Sequence, residues 1–509
     1  MIRLTEAQVL AAAAPERLVN IISAPGSGKT TIAAERFGYL RYQTGDLRGV
    51  LGLTFNRAAA AELRERINRR WGAGCIRTAH RVITFDHLHV EILTHLLREG
   101  QLTWPGGITT LEVRDDYRGL AGFRFLKDGD YKRFASLDNN RFVVSGSQKL
   151  GNTCMGIGSK RDHQAALNSG IVSHEDVRSI LRTAMHMKEI RQVSADWLSA
   201  NYRAAIIDEA YDADDLDLYA AYLAAEAGLS LTLIGDPWQT LYKWRGAKPE
   251  VVNTLLDRTS DQFIAYEQPD SFRFVGEQMP HLAANLRAGI GADLPPVASS
   301  DVDVALARSW TQLWTVGDNV LPLAFRTVNN ATDAAMNLLL DVITRARLGT
   351  TSYGREGAIM KLGLDRESFQ ARQDQALMSI VESLRAGKDE AQVLEDLRET
   401  IKGFGVRKPG RLADKDKEAG VRLQLTQLAA RLRQTNLIPG LTVFQAKGRE
   451  WERVGVTLYR PQIDALKSGL HELEEEHCII YVAITRAKRF CGLLHNTSDL
   501  ENDQLPLDI

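Results

Sequence analysis

Leu18-Val19-Asn20-Ile21-Ile22-Ser23-Ala24-Pro25-Gly26-Ser27-Gly28-Lys29-Thr30-Thr31 is the stretch on which the fold turns. Leu18 to Ile22 are largely apolar and β-favouring, and predict a buried strand. A Gly-rich turn follows, and Thr30–Arg41 takes up helical spacing. Strand, glycine turn and helix in that order cradle phosphate, because the turn's N–H groups and the helix N-terminus point at the anion. Ala24, Pro25, Gly26, Ser27, Gly28 and Thr31 would line that cradle. Lys29 would reach the β/γ-phosphates of ATP, and the Thr30 hydroxyl would ligate Mg²⁺. The turn opens on Ser23, where such loops usually open on Gly or Ala, but Gly28-Lys29-Thr30 carries most of the chemistry.

Outward from this stretch the pattern alternates. Val50–Phe55 reads as a strand and Ala58–Arg69 as a helix, which argues for a parallel sheet with covering helices. The pattern resumes at Ala204–Ile207, where Ala205-Ile206-Ile207-Asp208-Glu209-Ala210 is a buried strand ending in two carboxylates. Nucleotide hydrolysis needs two acidic roles: Asp208 is placed to hold the Mg²⁺ shell and Glu209 to orient and deprotonate water. The acids that follow (Asp212, Asp214, Asp215, Asp217) read as a solvated helix start. A further strand, Leu231–Ile234, leads into Gly235-Asp236-Pro237-Trp238-Gln239 and on to Trp244-Arg245-Gly246-Ala247. Such a turn lies where open α/β sheets bind ligands. A buried Gln239 there can sense a phosphate oxygen, while an exposed Trp244 offers a face to a nucleobase and Arg245 a charged plane. Phosphate sensing beside base stacking links nucleotide hydrolysis to movement on single-stranded nucleic acid.

The 509 residues suit roughly three or four domains. A net charge of -1 advertises no nucleic-acid binding, so any grip on phosphates must come from local patches. The four cysteines (Cys75, Cys154, Cys478, Cys491) form no C-x-x-C pair, which argues against zinc or iron–sulfur ligation and suits a reduced, cytoplasmic setting. The first residues lack the apolar core of a signal peptide, and no apolar run approaches the roughly 18 residues of a membrane span. From about Glu91 to Ala200 the chain turns Gly- and aromatic-rich, irregular and then helical. Within it Ser173-His174-Glu175-Asp176 resembles a capping box, with Val177, Ile180, Leu181, Ala184 and Met187 at helical spacing behind it. A second α/β unit begins near Ser271, is interrupted around 341–437 by a charged, mostly helical stretch, and returns with strands at Thr442–Phe444, Val454–Tyr459 and Phe490–His495. In it stand Arg273 and Arg486; either is a surface or ion-pair residue, or a finger that stabilises the charge of phosphoryl transfer.

Together these motifs resemble the superfamily-1 helicases of the UvrD/Rep/PcrA type, over roughly 1–90, 200–340 and 440–495. The resemblance implies an α/β fold of two RecA-like P-loop NTPase domains, each with a mainly helical insertion. It assigns 1–90 and 200–268 to domain 1A, 91–199 to 1B, 269–340 and 438–509 to 2A, and 341–437 to a short 2B. It also implies ATP- and Mg²⁺-dependent 3′-to-5′ translocation on single-stranded DNA or single/double-strand junctions, with ATP bound between 1A and 2A. By this resemblance Gln8 reads adenine, Phe272 stacks on it and Glu450, beside Gly448, contacts the ribose. Gln239 senses the γ-phosphate, and Arg273 and Arg486 are arginine fingers. Phe55, Thr84, Trp244 and Arg245 face DNA. Tyr211, Asp86 and Phe444 depart from the family's Gln, His and His. The short insertions and the Gly-Asp-Pro-x-Gln wording are also similar to the compact helicase-like subunit of the Gabija antiphage system. That implies the alternative of an ATPase subunit which senses nucleic acid and regulates a separately encoded nuclease, with 1B as docking face.

Two basic segments remain. Arg114–Arg161 carries ten Lys/Arg against five Asp, interleaved with aromatics, the mixture a single-strand or junction surface needs. Lys402–Arg411 is a second such segment. Each can also be read as a solvated charged surface, which is the better reading of Lys402–Arg411.

Overall fold

Six apolar runs of the amino-terminal part pair into one all-parallel sheet, in the order Ile264–Gln268, Leu18–Ser23, Ser230–Gly235, Tyr202–Asp208, Gly49–Thr54, Arg81–Thr84. The computed structural model describes residues 3–77, 79–114, 127–128, 131–138, 141–149, 160–241, 246–326, 328–364 and 371–494, with 127–149, 160–163 and 371–372 by backbone alone. It divides into two units, Met1–Arg273 and Phe274–Ile509.

In the first unit the central strands are buried almost throughout, as expected when helices cover both faces of a parallel sheet. Helices Lys29–Tyr42 and Arg57–Trp71 press Ile32, Phe37, Leu63 and Ile67 against Val19, Ile21 and Val50. Gly38 lets them meet closely: a Cβ there would lie 2.0 Å from the Trp71 ring. Arg36 is buried under this layer, where its Nε donates to Thr232 Oγ1 and its Nη1 to the Ala12 and Ala14 carbonyls. Burial lowers its pKa to about 10, so it stays charged at neutral pH.

The Ser173 capping box forms: Ser173 Oγ accepts from Asp176 N at 3.1 Å and Asp176 Oδ2 from Ser173 N at 2.9 Å. Val177, Ile180, Leu181 and Ala184 are buried behind it, but helix His174–Ala184 ends before Met187, which precedes the next helix, Lys188–Asn201. The irregular stretch ahead of it holds a three-stranded antiparallel sheet, Lys127–Asp128, Tyr131–Asp138 and Arg141–Lys149. Its mixed polar pattern did not announce these strands.

The second unit repeats the architecture with a second all-parallel sheet, ordered Pro296–Val297, Ala487–Leu494, Trp451–Thr457, Val304–Ala307, Ile438–Thr442, Val320–Pro322. Thr442–Phe444 is not a strand. The strand stops at Thr442 and Val443–Ala446 is a helical turn, with Val443 and Ala446 both buried at a spacing of three. Between the strands Val320–Pro322 and Ile438–Thr442, helices Ala331–Leu348, Arg355–Leu362, Ala371–Arg385, Glu390–Gly403 and Lys415–Leu432 build a separate core around Leu339, Ile343, Leu377, Leu397 and Leu425. Among the described residues no helix is long and apolar enough to cross a membrane. Cys75, Cys478 and Cys491 are buried and form no disulfide among the described residues.

Candidate active site

The strand Leu18–Ser23 hands the chain to the glycine turn, and helix Lys29–Tyr42 begins directly after it with no side-chain cap. Its first N–H groups are therefore left to the loop's concave side, which suits an anion. Two positive φ angles make the turn, +77° at Gly26 and +90° at Gly28. Neighbours would also exclude a side chain: a Cβ at Gly26 would lie 2.5 Å from Arg273 Cβ, and one at Gly28 2.9 Å from Gln8 Nε2. The unusual Ser23 is accommodated by a relay. Ser27 Oγ donates to Ala24 O at 2.8 Å, so Ser23 Oγ is the donor in its 2.6 Å contact with Ser27 Oγ. Gln8 is buried, with Nε2 donating to Ser27 O at 2.8 Å and Oε1 accepting from Thr5 N at 3.0 Å. On the other flank Ser271 Oγ donates to Pro25 O and Phe272 N to Gly26 O, at 2.6 and 3.0 Å. Arg273 and the 58 % exposed Phe272 thus stand beside the loop, inside the first unit. Arg66 Nη1 donates to Thr31 Oγ1 at 3.0 Å.

Two strands away in the sheet, Asp208 ends its strand with Ile234 as its register partner on the strand between. It is buried, the Thr30 hydroxyl bonds its carboxylate, and its Oδ1 has no hydrogen-bond partner. Burial, then the neighbouring Glu209 charge, raises its pKa to about 7 against the pull of Lys29 and Thr30. A buried carboxylate with an open oxygen beside a threonine hydroxyl is the hard-oxygen donor set that Mg²⁺ takes, so these residues fit the metal. Glu209 adopts φ 60°, ψ 42°, a left-handed conformation that a non-glycine residue enters at a cost of order 1–3 kcal/mol. Tyr211, the departure from the family's Gln, explains how the turn is held. It is buried against Gly235, where a Cβ would come within 2.6 Å of its ring, so the Asp-Glu turn and the Gly-Asp-Pro turn are packed into each other. Gln239 is buried on that second turn, Nε2 donating to Asp236 Oδ2 at 2.7 Å.

One residue group departs from the sequence reading. Asp214 does start a helix, Asp215–Glu226, and closes a capping box with Asp217. Asp217, however, is not solvated: its side chain is 3 % exposed and paired with Arg178 at 3.0 Å. Helical periodicity turns its face inward while the preceding helix His174–Ala184 supplies the counter-charge through Arg178.

Further along the sheet, Phe55 and Thr84 follow or end the neighbouring strands Gly49–Thr54 and Arg81–Thr84. Phe55 is partly exposed and rests on buried Phe85, ring centroids 5.2 Å apart. Thr84 Oγ1 accepts from His87 N at 3.3 Å. Trp244 and Arg245 lie outside the described residues, as do most of Arg114–Arg161 and every side chain in it beyond Arg114. In the other basic segment Lys408 is taken up by Glu395 at 2.6 Å and by Glu399, so that lysine is spent on internal ion pairs.

In the second unit Arg486 follows helix Glu475–Ile484 and is 1 % exposed, its Nε donating to Val482 O at 3.2 Å and its carbonyl accepting from Trp451 N at 3.0 Å. Gly448 has φ +85° with open space where a Cβ would stand. Glu450 is exposed, with Lys488 Nζ at 3.4 Å.

Sequence reasoning passed over Ser271 and Asp236, which fix the loop and Gln239. Ser271's only signal was adjacency to Arg273, since its bond to Pro25 O is far off in sequence, whereas Asp236 bonds Gln239 three residues on within the same turn.

A model of the AAA domain matches residues 6–245 and one of the UvrD-like helicase C-terminal domain residues 350–491. The chain is 22 % identical over 273 residues to a probable DNA helicase II homolog of Mycoplasma capricolum, covering 49 % of this chain and 36 % of that protein. It is 22 % identical over 354 residues to DNA helicase II of Salmonella typhimurium, covering 65 % of this chain and 45 % of that one. A shorter match, 35 % over 82 residues and 16 % of each chain, is to Gabija protein GajB of Bacillus cereus. The chain thus spans less than half the length of these relatives. Phosphate loop, Asp-Glu strand end and two parallel sheets agree with the two domain matches in their order along the sequence, and the chain belongs to the UvrD-like superfamily-1 helicases.

Proposed function

We propose that this chain hydrolyses ATP with Mg²⁺ and uses the cycle to move 3′-to-5′ on single-stranded DNA or at single/double-strand junctions. The observation that carries the reading is the convergence, at the carboxyl ends of one parallel sheet, of an uncapped glycine turn, a buried Asp208 with an open oxygen and a strained Glu209. Lys29 and the loop N–H groups bind the phosphates, and Thr30 and Asp208 hold the metal. When bound, Mg²⁺ neutralises charge on the β- and γ-oxygens. Glu209 orients the attacking water and takes its proton, Gln239 senses the γ-phosphate, and Arg273 and Arg486 answer the charge that builds on the equatorial oxygens. Gln8 and Phe272 take the adenine, and Gly448 and Glu450 the ribose side. Phe55, Thr84, Trp244 and Arg245 meet the bases. In this reading 1–90 with 200–268 is domain 1A, 269–340 with 438–509 is 2A, and 91–199 and 341–437 are insertions 1B and 2B. Buried cysteines that form no disulfide among the described residues suit a reducing compartment such as the cytoplasm.

The test is paired. Lys29→Ala should abolish turnover with weakened ATP binding. Glu209→Gln should keep binding and lose turnover by roughly 10²–10⁴-fold, because Asp208 still holds the metal while the base is gone. Normal turnover in Glu209→Gln would assign the base elsewhere.

A second reading is favoured by the match to Gabija protein GajB: an ATPase subunit that binds a separately encoded nuclease in an antiphage complex, unwinding little by itself. Co-purification with a nuclease from the host supports it. Robust unwinding of a 3′-tailed duplex by the isolated chain, with no stable partner, overturns it.

A further inference from the structure

Asp86 stands where the family carries a histidine, and its partner comes from the inserted segment. Arg178, on helix His174–Ala184, forks three ways: Nε to Asp86 at 2.9 Å, Nη1 to Asp214 at 2.7 Å and Nη2 to Asp217 at 3.0 Å. Its side chain is 19 % exposed, so these charges are only partly screened. Asp86 lies in the first turn of helix Phe85–Arg98, immediately after Thr84 and Phe85. Asp214, five residues beyond Glu209, caps the helix Asp215–Glu226. One guanidinium therefore joins the helix start that supports Phe55 to the segment that leaves the hydrolytic turn.

A second line of contact reaches the same Asp217 oxygen that Arg178 holds. Phe55 rests on Phe85, Phe85 meets His89 with ring centroids 6.2 Å apart, and His89 Nε2 lies 3.6 Å from Asp217 Oδ1. His89 is 1 % exposed, and neither ring nitrogen has a hydrogen-bond partner. A polar ring buried in this way is costly, and it occupies the one place where the aromatic contacts meet the acidic helix start.

We propose that Arg178 is a positioning residue that couples nucleic acid on Phe55 and Thr84 to ATP hydrolysis at Glu209, with Asp86 as its sensor end. The inference rests on the function proposed above and adds a route by which the inserted segment regulates that site. A base stacked on Phe55 loads Phe85 and the helix start, Asp86 moves with them, and Arg178 passes the shift to Asp214 and Asp217. Because Asp208 and Glu209 precede that segment on the same strand end, their alignment follows it.

The experiment uses the full chain and oligo(dT) as probe, and reads ATPase rates with and without DNA. Asp86→Asn removes the least buried end of the fork and leaves Arg178 paired to Asp217, so folding is preserved. It should lower the DNA-stimulated rate relative to the basal rate by about 2- to 30-fold, the range for residues on a coupling route. The basal rate should stay within about 2-fold, and Asp86→Glu should restore most of the stimulation by restoring the charge. Equal stimulation in Asp86→Asn and the parent overturns the proposal. A proportional fall of basal and stimulated rates with a lowered Tm overturns it too, since that marks a structural role alone. A parent chain that DNA does not stimulate overturns the function reading itself, and the coupling with it.

Discussion

The two units share one architecture and spend their buried charges differently. In the first, Arg36 is buried for packing, but a set of polar side chains also gathers at the carboxyl ends of the strands: Asp208 with an open oxygen, Glu209 in a strained conformation, Asp236 holding Gln239. In the second, buried charges fasten the helical insertion. Arg398 makes two parallel bonds to Glu418 at 2.9 and 2.8 Å. Arg431 donates to the carbonyls of Trp314, Val316 and Val320 while lying 4.7 Å from the centre of the Trp314 ring, which itself stacks on Phe325. Helix starts differ in the same sense. Lys29–Tyr42 opens uncapped on Gly28, whereas Trp310–Trp314, after the strand Val304–Ala307, is closed by the Ser309 hydroxyl accepting from Gln312 N. A parallel sheet offers both units the same scaffold, and what differs is the residues placed at its strand ends.

The sharpest way to break this contrast is through the arginines. Arg273→Ala and Arg486→Ala should each depress turnover by up to about 10³-fold while ATP binding changes far less, because a finger's charge matters most at the transition state. Measuring kcat beside nucleotide affinity checks this. An Arg486→Ala chain that loses binding alone would make the second unit's arginine structural, like Arg431.

The fastening role of charge in the second unit predicts a stability effect. Arg398→Ala leaves Glu418 unpaired in a mostly buried position and should cost about 3–5 kcal/mol, read as a lower first transition in thermal or urea unfolding. Nucleotide binding at low temperature should survive. A variant as stable as the parent would remove the buried pair from the account of how the insertion is held.

Trp244→Ala tests the DNA path proposed for the chain. A base stack is worth about 1–3 kcal/mol, so the variant should need roughly 5- to 150-fold more single-stranded DNA for half-maximal ATPase stimulation, with basal turnover spared. The parent's DNA affinity should itself fall with rising salt through counterion release. Equal DNA requirement in variant and parent would take Trp244 off the DNA path.

The smallest effect expected is a pH dependence inside the first sheet. His80 is buried and its Nδ1 accepts from Val50 N at 3.0 Å, which requires the neutral ring; burial lowers its pKa to about 4. The unfolded chain protonates this histidine from about pH 6.5 downward and the folded chain does not, so its contribution is whole above pH 6.5 and lost as pH falls toward 4. His80→Gln lacks that titration. The parent's stability advantage over it should shrink by about 1–2 kcal/mol between pH 7 and pH 5, measured as the difference in unfolding free energy. A difference that stays flat across that range would mean the ring titrates normally.

The sequence by itself determined the phosphate cradle, the Asp-Glu strand end and the repeated alternation of strand and helix, because each is a local pattern: apolar runs bounded by glycines, with helical spacing behind them. Ser173 and Asp176 were legible as a cap for the same reason. Tertiary structure alone decided what these pieces touch. Nothing near Asp217 in sequence shows that Arg178 would bury it, and nothing near Tyr211 shows that Gly235 would leave room for its ring. The same holds for Ser23, an exception on paper that becomes unexceptional once Ser27 Oγ accepts its hydrogen bond. The antiparallel strands between Lys127 and Lys149 were missed because their stability comes from pairing, which a mixed polar pattern does not encode. Periodicity reports which face of an element turns inward; partners across a sheet are set by topology, and a linear pattern carries no record of them.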